Sequence, residues 1–213
     1  MKGSEELKHI KDPVEIERKS FEIITEELGE KNQRFDEKTG KVVKRVIHTT
    51  ADFEYADLLE IHPHAIENGM DALKKGSNIY ADTQMVRSGI NKRRLGELGG
   101  QICNFVHEES VFIEAKEREI TRSMVSIERA CKDEKIKIFV IGNAPTALFT
   151  LIKLIEEGMD KPDLIVGVPV GFVGAAESKE ALRKLDVPYI ITRGRKGGSG
   201  VAASIINALL YMI

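Results

Sequence analysis

Tryptophan is absent from this chain of 213 residues, and phenylalanine with tyrosine brings the aromatic share to only 6%. So thin a supply of rings argues against a stacking platform for single-stranded nucleic acid. An excess of one charge is missing too: 32 basic residues face 34 acidic ones, a net of -2. No global field draws nucleic acid or an anionic membrane, so any anion must be held locally. Only two cysteines occur, Cys103 and Cys131, in separate apolar contexts and without CxxC spacing. They read as buried free thiols of a reducing compartment. No apolar run approaches the roughly 20 residues of a membrane span. The opening MKGSEELKHIKDP lacks the apolar centre of a secretion signal. These absences predict a cytoplasmic protein with neither a membrane nor a nucleic-acid partner.

What is present is ordinary globular material, 42% hydrophobic and 31% charged, with no linker to divide it. A single domain over residues 1–213 is expected. Pro13 suits a helix's first turn, with Ile16, Phe21, Ile23, Ile24 and Leu28 following at helical spacing. A second helix is expected from Val42 through VVKRVIHTTADFEYADLL, its stripe made of Val43, Val46, Ile47 and Thr50. Pro63 opens a third helix, which Gly76 closes. Further helices are expected over 108–119 and from a Thr121 cap to Ala130, and strands over 78–81, 101–106, 136–141, 163–168 and 188–192. The last three strands each break at glycine and small residues and reopen as a helix, the form of a parallel strand feeding a crossover. The fold expected is α/β: a mostly parallel sheet of about five strands, helices on both faces and a helical N-terminal third.

Ligands of such sheets sit past the carboxyl ends of the strands. Three loops fall there: Asn143-Ala144-Pro145-Thr146, Gly171-Phe172-Val173-Gly174, and Arg193-Gly194-Arg195-Lys196-Gly197-Gly198-Ser199-Gly200. Their free amides at helix starts, with three cations in the last, suit a carboxylate or phosphate. Neither G-x-x-x-x-G-K-[ST] nor G-x-G-x-x-G with an acidic partner occurs, so nucleotide is not indicated. His48, on one helix face with Arg45, reads either as a hydrogen-bonded core residue or as a general acid or base near neutrality. The nearby arginine opposes its protonation unless a bound anion neutralises that charge. His62-Pro63-His64 lacks the Cys or carboxylate partners of a metal site, and His9 and His107 have no constellation. Ser88, Ser178 and Ser199 form no G-x-S-x-G. Arg122 follows Thr121 at a helix start, where the dipole does not favour a cation, and a bidentate carboxylate contact would explain it.

The segments ERKSFEII, RVIHTTADFEYA, ADTQMVRSGI, ITRSM, GNAPTALF, GVPVGFVGAAESKEAL and TRGRKGGSG together resemble the precorrin-8X methylmutases, which include the cobalt-precorrin-8 methylmutases of cobalamin synthesis. The resemblance runs from about residue 13 to residue 210. It implies a three-layer α/β sandwich, a homodimer, and an isomerase that needs no added cofactor or metal. The implied reaction moves a methyl group from C-11 to C-12 of a corrinoid ring, giving hydrogenobyrinate or its cobalt form, cobyrinate. Carried over by motif, the catalytic residue falls on His48, and Ser20, Arg45 and Arg122 fall on substrate positions. Asp82 and Thr83 match the segment beside the pocket, and Asn143, Gly171, Phe172 and Arg193 match the loops. A corrinoid is a broad apolar ring fringed by carboxylates, which arginines and glycine-rich helix starts can hold. Two other readings stand beside this one: a corrinoid-binding or product-channelling protein without turnover, and a nucleotide- or sugar-phosphate-binding domain resting on the loops alone.

Overall fold

The computed structural model describes residues 11–213. Its centre is a six-stranded sheet made of β1 (Leu59–Ile61), β2 (Asn78–Ala81), β3 (Ile102–Cys103), β4 (Ile136–Ile141), β5 (Leu164–Gly167) and β6 (Tyr189–Thr192), in the order β1-β6-β5-β4-β2-β3. All neighbours run parallel except β1, which pairs antiparallel with β6 through Leu59 and Thr192. The middle strands are apolar apart from Asn78, Lys137 and Thr192 because both their faces are covered. Ile79, Ile138, Val140, Val166 and Ile190 point to one layer, and Tyr80, Phe139, Ile141, Ile165 and Ile191 to the other.

The first layer contains α2 (Glu37–Thr50), α4 (Ala65–Lys74), α5 (Gln84–Gly89) and α11 (Ser199–Leu210), with α1 (Pro13–Leu28) against α2. The second contains α8 (Arg122–Ala130), α9 (Pro145–Glu156) and α10 (Ala175–Arg183), with α7 (Glu109–Glu117) packed on α8. Two short helices, α3 (Tyr55–Leu58) and α6 (Lys92–Glu97), turn the chain between these elements. The three-layer α/β sandwich is therefore as expected.

Caps set several boundaries where the residue types placed them. The Asp12 carboxylate accepts from Val14 N at 3.0 Å ahead of Pro13, Thr121 caps α8, and Pro145 is the first residue of α9. Other expectations fail. The second helix begins at Glu37 because the Asp36 carboxylate caps Lys38 and Thr39, and it ends at Thr50 as Ala51 turns left-handed at φ 52°. The residues beyond it, read as more helix as far as Leu59, form α3, and Leu59 opens the sixth strand, β1. The strand expected over 101–106 shrinks to Ile102–Cys103. In α1 only Ile24 and Leu28 are buried, while Ile16 and Ile23 face outward. The segment read as lacking a secretion signal lies, up to residue 10, outside the described residues.

One loop is held against another so closely that a side chain cannot intervene. Gly198 N donates to Val168 O at 2.8 Å, and a methyl group on Gly197 (φ +152°) would sit 2.2 Å from that same carbonyl oxygen. Gly197→Ala must therefore both strain its own backbone and push the strand end away. It is expected to cost roughly 1–3 kcal/mol or more, read as a lower urea midpoint.

Candidate functional site

The chain leaves β2 toward β3 on one side and β4 toward β5 on the other, so the crevice between the carboxyl ends of β2 and β4 is the topological switch point. Asp82 follows β2 there, buried to 1% exposure. Its carboxylate accepts from Gly142 N at 3.1 Å, Asn143 N at 2.8 Å and Ala144 N at 2.9 Å, all in the loop after β4. Desolvation raises the Asp82 carboxyl above the usual range, and the three amide donors oppose that rise. The amides expected to be free for an external anion are thus taken by the chain's own carboxylate. What the loop presents to solvent is the Asn143 side chain.

Thr83 caps α5 by accepting from Val86 N at 3.1 Å, and its hydroxyl lies 3.0 Å from that of Ser199, the first residue of α11. Gly142 lets the start of α11 come close: a methyl group there would be 2.9 Å from Ser199 Cα. On its other side, Gly200 faces the Thr49 methyl near the end of α2. His48 is the preceding residue, so the carboxyl edge of the sheet and the end of α2 form one continuous rim.

His48 is exposed, which overturns the core reading. Its ring stacks on Phe21 of α1, with centroids 5.2 Å apart and planes 15° apart. Arg45, one turn earlier, lies 4.6 Å from the same phenylalanine ring and donates to Glu17 at 2.6 Å. Ser20 sits beside Phe21 and donates its hydroxyl proton to Ile16 O at 2.8 Å. Arg45 and His48 are therefore neighbours around one ring, and Ser20 precedes that ring in α1.

The remaining residues lie further along the rim. Arg122 is exposed at the start of α8, whose Thr121 hydroxyl is 3.2 Å from that of Thr146 in α9. Between β5 and α10, Phe172 and Val173 stand 82% and 90% exposed beyond Gly171, with the Arg195 guanidinium 5.3 Å from the Phe172 ring. Arg193 turns back to donate to Asp57 O. Among the described residues no group of His, Cys, Asp and Glu could hold a metal ion, and His9 lies outside them. Cys103 and Cys131 are free and half-buried, and burial pushes the Cys131 thiol up to about 12.

Several residues escaped the sequence reading. Phe21 looked like one more apolar residue of α1, and nothing local marks it as the stacking partner of a histidine 27 positions away. Lys196, expected among the loop cations suited to an anion, instead joins the β6–α11 loop to the segment after α2, donating to Asp52 at 2.5 Å and Glu54 at 2.7 Å. Lys179 of α10, at 1% exposure, donates to Lys196 O at 2.9 Å and Thr192 Oγ1 at 3.2 Å. With no carboxylate paired to it among the described residues, burial pulls this amine down to about 8.

The family model of precorrin-8X methylmutase matches residues 15–212. The cobalt-precorrin-8 methylmutase of Priestia megaterium is 49% identical over 197 residues, 92% of this chain and 87% of that protein. That of Leptospira interrogans serovar Lai is 48% identical over 205 residues, 92% of each. Among solved structures, a precorrin-8X methyl mutase from Thermus thermophilus is similar with a TM-score of 0.85 and 36% identity, covering 93% of this chain and 95% of that one.

The buried amine makes a pH signature. Below about 8 Lys179 is charged in both folded and unfolded chains, and the cost of burying that charge is fully present. Between 8 and the ordinary lysine value of 10.5 the unfolded chain binds more protons, so stability rises with pH. Urea unfolding at pH 7.5 and 9.5 should show this rise in the wild type, and Lys179→Met should flatten it.

Proposed function

The chain belongs to the precorrin-8X methylmutase family and is an isomerase of corrin-ring biosynthesis; on that premise we propose that it moves a methyl group from C-11 to C-12 of precorrin-8X or cobalt-precorrin-8, with His48 as proton donor and acceptor. The observation that carries the role of His48 is its exposed ring, stacked on Phe21 where the rim meets the end of α2. Substrate and product are isomers, so every proton His48 delivers to the macrocycle must be taken back before release. A migration within one molecule needs a held ring and one positioned acid–base group, and little else.

In this reading Arg45, Arg122 and Arg193 grip carboxylates of the ring's fringe, while the hydroxyls of Ser20 and Thr83 and the Asn143 amide meet its polar edge. Phe172, carried on the turn at Gly171, covers an apolar face. Asp82 acts through the loop it holds. No cofactor enters the scheme. We further propose a homodimer working in the cytoplasm; Val14, Ile16 and Ile23 on α1 leave apolar surface that a second subunit could cover. No helix among the described residues is long and apolar enough to cross a membrane.

The competing reading is a corrinoid carrier without turnover. Anaerobic incubation with precorrin-8X and with cobalt-precorrin-8, followed by absorption spectra, should show conversion by the wild type. His48→Ala should lower turnover by about 10²-fold or more and leave hydrogenobyrinate binding largely intact. Normal turnover by the variant would sink the assignment of His48, and binding without conversion by the wild type would establish the carrier.

A further inference from the structure

Phe21 has surroundings on two sides. His48 stacks on its ring, and a cleft of about 280 Å³ opens between α1, α2 and the end of α11, lined by Phe21, Lys41, Lys44, Arg45, Tyr211 and Met212. The Arg45 guanidinium is bracketed by two rings, 4.6 Å from Phe21 and 4.9 Å from Tyr211, and its side chain is only 18% exposed. Such a bracket holds a planar cation in place without neutralising it. Glu17 engages one terminal nitrogen, and a guanidinium has five N–H donors, so several remain.

The other two cations differ from each other. Lys41 is paired with Glu37 at 2.7 Å on the exposed side of α2. Lys44 makes no ion pair among the described residues, its nearest polar contact being Thr25 Oγ1 at 3.4 Å. Three cations against Glu17 and Glu37 leave the cleft one positive charge in excess. Aromatic rings and the Met212 side chain supply apolar wall. A single carboxylate on a short aliphatic stem fits that combination.

We propose that this cleft receives one acetate or propionate arm of the corrinoid, with Lys44 as its terminal cation and Phe21 and Tyr211 as positioning residues that orient Arg45. The proposal rests on the reading of the chain as a corrinoid isomerase. It gives Phe21 a double role, since the ring that aligns the arm's cation also sets the plane of His48.

The test uses the intact protein and two probes. Lys44→Met and Tyr211→Leu should each weaken hydrogenobyrinate binding and raise KM by about tenfold, the loss of one charge-assisted contact, with kcat little changed. Tyr211→Phe keeps the ring and should behave as wild type. In an Arg45→Ala background Tyr211→Leu should add nothing, because it acts through that arginine. Independently, 3-phenylpropionate should shift the NMR signals of the Met212 methyl and the Tyr211 ring, and Lys44→Met should abolish that shift. Wild-type affinity in Lys44→Met and Tyr211→Leu, or an undiminished Tyr211→Leu effect without Arg45, overturns the proposal. If the wild type binds no corrinoid, the isomerase reading fails, and 3-phenylpropionate then decides for the cleft: no shift overturns it as an anion site.

Discussion

The span of the Asp82 carboxylate across the gap between β2 and β4 is the constraint on which the rest of the rim depends. Open parallel sheets split at this point because successive crossovers leave in opposite directions, and the split usually admits a ligand. Here a buried side chain fills it from within. Being part of the chain, that carboxylate is always present at the amides, and an external anion must displace it and bury its own charge to take its place. Phosphates abundant in a cell are therefore poor competitors for this loop, although its small residues ahead of a helix start advertise a welcome for them.

From that clasp the geometry passes outward by close contact. Gly142 admits the first turn of α11, Ser199 meets Thr83, and Gly200 lies against Thr49 at the end of α2. These contacts seat α11, which packs on α2, the helix that carries His48. Lys196, tied to Asp52 and Glu54, fastens the same junction from the loop side, and Lys179 holds the loop from beneath. Exposed ion pairs of the first kind contribute little stability individually. Their value is in fixing where one loop stands relative to its neighbour.

The sheet's carboxyl-edge loops were legible in sequence because three apolar runs, each closed by small residues, have few other meanings. Pro13, Thr121 and Pro145 announced helix starts by local chemistry, and the structure uses each of them so. β1 was hidden because Leu59 ends an apolar pattern that suits a helix equally well, and for so short a strand only pairing with β6 decides the matter. Motifs located His48 and Arg45, but not the ring they share, since Phe21 owes its role to how α1 lies on α2. The Asp82 clasp was equally silent: an aspartate after a strand says nothing about amides 60 residues away. Contacts made at long range by unremarkable residue types are what a single sequence withholds.

Phe172 and Val173 stand almost wholly in water at the tip of the β5–α10 loop. Apolar surface of that kind orders a hydration shell whose release leaves a calorimetric mark. A broad apolar ring settling over these two side chains would make the heat capacity of complex formation negative, so the enthalpy of binding would grow steadily more favourable on warming. Such a thermal mark would be distinct from that of any charged contact, which salt would screen.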